Sequence, residues 1–357
     1  MYLGNIAKLA SLGFAGALLS IILCVQPVAS AEQLRPESIN NAEPSGTKQR
    51  SMSPAVIGRA QILLDRANFS PGEIDAKDGE NFKKAIHAFA EAYGLPSKAG
   101  LTKEIWIKLT EVASEPAVTE YQITEDDIKG PFVLGLPSKM EDMKDLPSLP
   151  YTSAAEALAE KFHMSEELLR KLNAESSFDR AGETIIVANV LAHEAPSKAV
   201  RLEIAKGAQE LRVFDGQNNI IAFYPATVGS DEKPSPSGTL KVTNIQPNPT
   251  YRYNPKYRFK GVSATQPFTI KPGPNNPVGI VWIGMAAEGF GIHGTPDPAK
   301  VSKAESHGCI RLTNWDADDL SKRVTKGTPV VFVEGPGERS NNRQGKRKRY
   351  SDGARPG

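Results

Sequence analysis

The sequence predicts a multidomain α+β protein in which two small N-terminal modules precede a β-rich C-terminal domain. Three observations predict it. Residues 53–113 carry apolar side chains at helical spacing, residues 151–190 resemble a helix–helix–strand unit, and short alternating runs separated by Gly and Pro begin at Ala199. The chain of 357 residues is also longer than one ordinary domain.

The N-terminus predicts export. Lys8 precedes an apolar run from Leu9 to Val25, and Ala29-Ser30-Ala31 has the small-x-small pattern of a cleavage site, so residues 1–31 are interpreted as a signal peptide. An uncleaved membrane anchor is the alternative, which Pro27 disfavours. After cleavage Cys309 would be the only thiol. An unpaired thiol in an oxidising compartment is expected to be either buried or used in a reaction.

Both ends of the mature chain are predicted to lack regular structure. Residues 32–52 are polar and without periodicity, and we expect a flexible leader there. Residues 335–357 contain the basic run from Lys346 to Arg349 among Gly, Ser and Asn, which predicts a disordered basic tail. The net charge of +2 gives no general argument for binding nucleic acid.

Helices are predicted over residues 53–113. Phe82, Ile86 and Phe89 form one apolar stripe, and Thr102 is placed to cap a last helix. The next segment, 114–150, is acidic and punctuated by prolines, which predicts a linker. Residues 151–190 follow with two short helices and a closing strand, Gly182 to Val187.

The C-terminal segment, 199–334, is predicted to be an all-β sandwich or barrel with one helix, which Thr313 caps. His293 ends one predicted strand and Cys309 lies near the end of another. The strand candidates are 200–204, 211–214, 220–228, 240–245, 279–284, 289–293 and 329–333.

The lone thiol admits three interpretations from the residues alone. His293 activates Cys309 as a nucleophile, since a free thiol is only slightly ionised near neutral pH. Alternatively His293, His307 and Cys309 ligate zinc, although His-x-Cys is an unusual ligand pair. In the third interpretation Cys309 is a buried small hydrophobe and the histidines make structural hydrogen bonds.

The motif itself resembles a known family. His293-Gly294-Thr295, followed after ten residues by Ser306-His307-Gly308-Cys309-Ile310-Arg311-Leu312, is similar to the signature of the YkuD-type L,D-transpeptidase catalytic domain. The resemblance spans about Ala199 to Val333. It implies a β-rich fold and ping-pong acyl transfer on peptidoglycan stem peptides, without a cofactor or a metal.

The resemblance also implies roles for residues. Cys309 would attack the diaminopimelate carbonyl and expel D-alanine, with His293 as the general base, while His307 and Gly308 shape the turn and the oxyanion hole. Arg311, Ser306, Gly294, Trp282 and Tyr253 are the expected substrate contacts. The acyl acceptor would be a second stem peptide or a lysine of an envelope protein; with water as acceptor the enzyme would be an L,D-carboxypeptidase. A zinc-dependent peptidase and a non-catalytic wall-anchoring protein are further alternatives.

The N-terminal modules carry resemblances of their own. Residues 53–113, with Pro71-Gly72 before Ile74-Asp75, resemble a peptidoglycan-binding-like domain. Residues 151–190, with Leu172-Asn173, resemble a LysM module, which binds N-acetylglucosamine-containing glycan strands. Together with the export signal, these resemblances imply a wall-associated protein in the periplasm of a Gram-negative bacterium.

Overall fold

The computed structural model describes residues 34–44, 52–96, 100–190, 196–229, 235–257, 262–303 and 308–334. These residues belong to one compact unit that begins at Leu34; a second unit, Met1–Gln33, lies outside them, as do the predicted signal peptide and basic tail. None of the helices in the described part of the chain has the length and apolar character needed to span a membrane.

The helices and strands have the following bounds. The α-helices are α1 Pro36–Asn40, α2 Pro54–Arg66, α3 Glu80–Ala92, α4 Lys103–Val112, α5 Glu125–Ile128, α6 Ala154–Lys161, α7 Glu166–Leu172 and α8 Asn314–Arg323. The strands are β1 Val118–Gln122, β2 Thr184–Ala188, β3 Arg201–Ala205, β4 Glu210–Phe214, β5 Ile220–Pro225, β6 Gly238–Pro247, β7 Tyr251–Tyr253, β8 Phe268–Ile270, β9 Val281–Met285, β10 Gly291–His293, β11 Ile310–Arg311 and β12 Pro329–Val333. Short 3₁₀ helices occupy Met140–Asp145, Pro255–Tyr257 and Pro298–Lys300.

The N-terminal helical module, α2 to α4, has the predicted helices. The stripe of Phe82, Ile86 and Phe89 is buried, and the Thr102 hydroxyl accepts the Ile105 N–H at 3.3 Å as the cap of α4. Part of the predicted flexible leader is instead the helix α1. Its Ile39 is only 1% exposed and packs in the hydrophobic core. The polar composition of the segment gave no indication that this side chain is buried.

The segment predicted to be a linker is also structured. Its strand β1 pairs antiparallel with β2, with Val118 opposite Ala188, and closes a β–α–α–β unit with α6 and α7. The Asn173 side chain fixes α7 to β2 because it accepts the Ile186 N–H at 2.6 Å and donates to the Ile186 carbonyl at 2.8 Å. The linker interpretation was wrong. The segment contains β1, α5 and a 3₁₀ helix, and the last two separate β1 from the helices α6 and α7 of its unit.

The predicted all-β C-terminal domain is confirmed. Eight strands form one sheet in the order β11-β10-β9-β6-β12-β3-β4-β5, and β7 pairs with β8 as a separate hairpin. Most neighbours are antiparallel, but β12 pairs parallel with β3, and β10 with β11. Helix α8 packs Ala317 and Leu320 into the core of this sheet. Its N-terminus is capped by Thr313, whose hydroxyl accepts the Asp316 N–H at 3.2 Å.

Strand β5 joins the helical module to this sheet. Its Ala222 and Tyr224 lie in the core of the β domain, whereas Phe223, on the opposite face, is fully buried in the core of the helical module. The backbone of Phe223 also bonds to the helical module, donating to Asn68 O and accepting from Ser70 N, both at 2.9 Å. The two modules therefore share hydrophobic packing.

Polar contacts extend these junctions. Arg212 of β4 is 4% exposed and pairs with Glu91 of α3 at 2.7 Å. Between the helical module and the β–α–α–β unit, Ile74 donates to His163 O and accepts from Ser165 N, each at 2.9 Å. These contacts make the helical module, the β–α–α–β unit and the β domain parts of one structure.

Replacing Phe223 with Ala should destabilise this whole structure. The free energy of unfolding should fall by about 3–5 kcal/mol, because a large buried aromatic ring is lost and a cavity remains. Urea unfolding followed by tryptophan fluorescence and by circular dichroism should give one coincident, shifted transition. The exposed Val200, replaced with Ala, serves as the control and should change stability by less than about 0.5 kcal/mol. Two separate transitions, of which one keeps its wild-type midpoint, would show that the modules unfold independently.

Candidate active site

The parallel pairing of β10 and β11 brings the predicted histidine and thiol together. Ile292 lies opposite Ile310, and His293 lies opposite Arg311. Side chains alternate between the two faces of a strand, so His293, Arg311 and Cys309 project from the same face of the sheet. Cys309 is half-buried just before β11, and its Sγ donates to the Gly289 carbonyl at 3.5 Å.

The His293 ring has a defined tautomer. Its Nδ1 lies 2.6 Å from the Gly294 carbonyl oxygen, and since a carbonyl can only accept, Nδ1 carries the proton. Nε2 of the neutral ring is then left as a base. The ring stacks on Trp282 with centroids 5.6 Å apart and planes 14° from parallel.

The surroundings keep this imidazole neutral. Burial lowers the pKa of His293 to about 3, and the Arg311 guanidinium acts in the same direction, while the bond to Gly294 opposes them. The side chain is 4% exposed. The His293 ring is thus neutral, with its single proton on Nδ1, throughout the neutral pH range.

The thiol is neutral as well. Burial raises the pKa of Cys309 above its usual value, and a backbone hydrogen bond from Gly291 and the charge of Arg311 oppose the rise. The resting site therefore holds a thiol and a neutral imidazole on one face of the sheet. A neutral imidazole can remove the thiol proton during attack on a carbonyl.

Arg311 is the cationic group at this site. Burial lowers the pKa of its guanidinium, and the nearby Cys309, Asp297 and Tyr251 counteract that effect. Its backbone is fixed by two hydrogen bonds with Thr227, each 2.9 Å long. A partly buried guanidinium in this position can bind a carboxylate.

Tyr251 is a site residue that the sequence did not reveal. Burial raises the pKa of its phenol, and repulsion between the phenolate and a Cys309 thiolate acts in the same direction. The predicted contact was Tyr253, which is 3% exposed and stacks on Phe268 at 4.7 Å. Both tyrosines lie on the same face of β7 because they are two residues apart, so strand alternation could have found Tyr251.

The remaining predicted residues have different positions. Trp282 lies beneath the His293 ring, and a Cβ on Gly291 would come within 2.5 Å of the indole. Gly308 has φ of +103°, a conformation that other residues rarely adopt. Gly294 packs its backbone against Asn314. Ser306 and His307 lie outside the described residues.

The described residues provide no set of ligands for the zinc site that the sequence allowed. No group of three or more His, Cys, Asp or Glu side chains among them is arranged to hold a metal ion. His307, the third proposed ligand, lies outside the described residues, and the bond from His293 Nδ1 to Gly294 leaves Nε2 as the ring nitrogen with a lone pair.

The catalytic-domain model of the YkuD L,D-transpeptidases matches residues 199–332. The L,D-transpeptidase YqjB of Bacillus subtilis is 33% identical over 136 residues, which are 37% of this chain and 69% of that protein. The chain belongs to the L,D-transpeptidase family. The matched residues include both His293 and Cys309.

Other L,D-transpeptidases match beyond the catalytic domain. YkuD of Bacillus licheniformis is 26% identical over 180 residues, 50% of this chain and 92% of that protein. YcfS of Escherichia coli is 30% identical over 195 residues, 51% of this chain and 59% of that protein. The chain thus spans about three fifths of YcfS, and both matches include residues before Ala199.

The low pKa of His293 should be visible by NMR. In protein labelled with ¹⁵N-histidine, His293 should show one protonated and one unprotonated ring nitrogen at pH 5, where an ordinary histidine with a pKa near 6.5 is mostly charged. His163 is the internal control, since the charge of Asp65 helps to raise its pKa against burial, and it should be protonated at this pH. A charged His293 ring at pH 5 would contradict the proposed resting state.

Removing the guanidinium should shift both members of the pair. In Arg311→Met we expect the pKa of Cys309 to rise further, because the thiolate loses a stabilising charge, and the pKa of His293 to rise, because the imidazolium loses a repelling one. The pH dependence of iodoacetamide labelling, followed by mass spectrometry of the Cys309 peptide, should move to higher pH. Arg252→Met, an exposed position on β7, is the matched control and should leave the profile unchanged.

Proposed function

We propose that this protein is a cysteine-dependent peptidoglycan L,D-transpeptidase in which Cys309 is the nucleophile and His293 the general base. The observation that carries the proposal is the His293 ring itself: Nδ1–H is committed to Gly294, which leaves Nε2 free to accept the thiol proton on the face shared with Cys309. Membership of the family supplies the reaction class.

The proposed reaction has two steps. Sγ of Cys309 attacks the diaminopimelate carbonyl of a tetrapeptide stem while its proton passes to His293 Nε2. The peptide C–N bond then breaks, D-alanine leaves with that proton on its amine, and a thioester remains. An amine of a second stem peptide, or of an envelope-protein lysine, attacks the thioester and releases the thiol; with water in its place the product is a shortened stem.

The other site residues receive supporting roles. His307 and Gly308 are assigned to the oxyanion hole that stabilises the tetrahedral intermediate. Arg311, aided by Tyr251, binds a carboxylate of the stem peptide beside the thiol, a role that the partly buried guanidinium supports. Ser306 and Gly294 are assigned as further substrate contacts, and Trp282 supports the His293 ring by stacking on it.

We further propose that the N-terminal modules hold the enzyme on the wall after export to the periplasm. The helical module would act as a peptidoglycan-binding-like domain and the β–α–α–β unit as a LysM-like module on glycan strands. The Asn173 contacts to β2 and the matches that extend before Ala199 support the second assignment. Two weak contacts with one polymer raise the local concentration of stem peptides at the active site.

Replacing Cys309 with Ala tests the chemistry. The variant should release no D-alanine from tetrapeptide muropeptides and form no covalent adduct with a carbapenem by intact mass, because the attacking sulfur is absent. It should still sediment with purified sacculi, since the proposed wall-binding modules are unchanged. Activity of the wild type should be lost to a thiol alkylator and retained in a metal chelator. Turnover by the Ala variant would refute the nucleophile, and a wild type without adduct would favour a non-catalytic anchor.

A further inference from the structure

We propose that Glu160, on α6 of the β–α–α–β unit, is a positioning residue for the base His293 and acts through Asn314 and Gly294. The proposal rests on the function proposed above, in which His293 is the base. It makes the appended unit a structural part of the active site in addition to its role on the wall.

The first link is the carbonyl that sets the tautomer of His293. Gly294 O accepts Nδ1–H at 2.6 Å, so any displacement of this peptide group changes which ring nitrogen is free. The geometry of this carbonyl therefore decides whether Nε2 can act as the base.

The second link is the packing of Gly294 on Asn314. A Cβ placed on Gly294 would lie 2.3 Å from Asn314 Oδ1 and 3.2 Å from its Cα, so the Gly294 backbone rests directly against this residue. The same Oδ1 accepts the N–H of Ile280 at 3.3 Å. Asn314 is 1% exposed and begins α8, five residues after Cys309.

The third link is the hydrogen bonding of Asn314 to Glu160. Asn314 Nδ2 donates to both carboxylate oxygens of Glu160, at 3.1 and 3.0 Å, and to Pro274 O at 3.2 Å. Only the amide nitrogen can donate to these acceptors. A flipped amide would place Oδ1 against the carboxylate, so Glu160, together with Pro274 O and the Ile280 N–H, sets which way Asn314 faces Gly294.

Glu160 is an unusual side chain to bury at a boundary between modules. It is 9% exposed, and burial raises its pKa to about 7, while bonds from Asn314 and from the Tyr151 hydroxyl at 3.2 Å favour the charged form. A carboxylate is buried at a cost unless it is hydrogen-bonded, and Glu160 accepts from the Asn314 amide and the Tyr151 hydroxyl. Its bonds to Asn314 connect it to the residue against which Gly294 packs.

The test uses full-length Glu160→Leu, which keeps the volume and removes the acceptors, and Glu160→Gln, which keeps one acceptor oxygen. Glu166→Leu is the matched control, since Glu166 is partly exposed on α7 and pairs only with Arg170 of the same helix among its hydrogen-bonded partners in the described residues. We expect Glu160→Leu to be folded at the assay temperature with a lowered Tm, because the Asn314 amide and the Tyr151 hydroxyl lose an acceptor. It should lower kcat for D-alanine release by about tenfold or more with KM little changed, because small misplacements of a catalytic group are costly. Glu160→Gln should recover most of kcat, and Glu166→Leu should match the wild type.

The second measurement is the ¹⁵N-histidine spectrum, which does not depend on turnover. Glu160→Leu should give a mixture of the two neutral tautomers of His293, whereas the wild type and Glu166→Leu should show Nδ1–H alone. A folded Glu160→Leu protein with unchanged kcat and an unchanged His293 spectrum would overturn the proposal, as would a loss of kcat that only follows the fraction of unfolded protein. If the wild type releases no D-alanine, the proposed function fails, and the tautomer spectrum still decides the positioning of His293.

Discussion

The register of the parallel pair β10–β11 is the constraint on which the active site depends. Ile292 and Ile310 are directly opposite each other and fully buried in the core of the sheet. A slip of one residue would expose an isoleucine and turn Cys309 to the face opposite His293. Apolar burial on one side of the strand pair thus fixes the reactive groups on the other side.

The same burial determines the electrostatics of the pair. It disfavours both the imidazolium and the thiolate, and Arg311 favours the thiolate while repelling the imidazolium. The cation therefore opposes an imidazolium–thiolate ion pair at His293 and assists the thiolate that attack requires. Such a site holds its cysteine as a thiol in the resting state, which makes the sulfur less prone to oxidation than a thiolate.

The sequence was informative where local patterns and tertiary packing agree. The period of Phe82, Ile86 and Phe89 predicted a buried helix face, and the alternation in the C-terminal third predicted the sheet. Strand β11 has two residues and β7 and β8 have three each, too few for a period to be visible. Strand β1 was missed because its partner β2 lies more than sixty residues away, and long-range pairing leaves no local signal.

The site could be predicted to a similar extent. Glycines and histidines near Cys309 indicated a reactive thiol, and the resemblance distinguished His293 from His307. Alternation from Tyr253 along β7 could have indicated Tyr251, but the sequence carried no signal for a glutamate of another module behind Asn314, because that contact arises from tertiary structure. The interlocking through Phe223 was hidden for the same reason, since a phenylalanine in a strand does not indicate which core it enters.

That interlocking gives the proposed enzyme a fixed reach. With β5 contributing Phe223 to the helical core and Ile74 paired to the β–α–α–β unit, a glycan strand held by either module would lie at a constant distance from Cys309. A flexible tether lets a catalyst sample a volume around its anchor, whereas a rigid body samples a single radius. With glycan bound as proposed, the enzyme would reach only those stem peptides that lie at this distance from the bound strand.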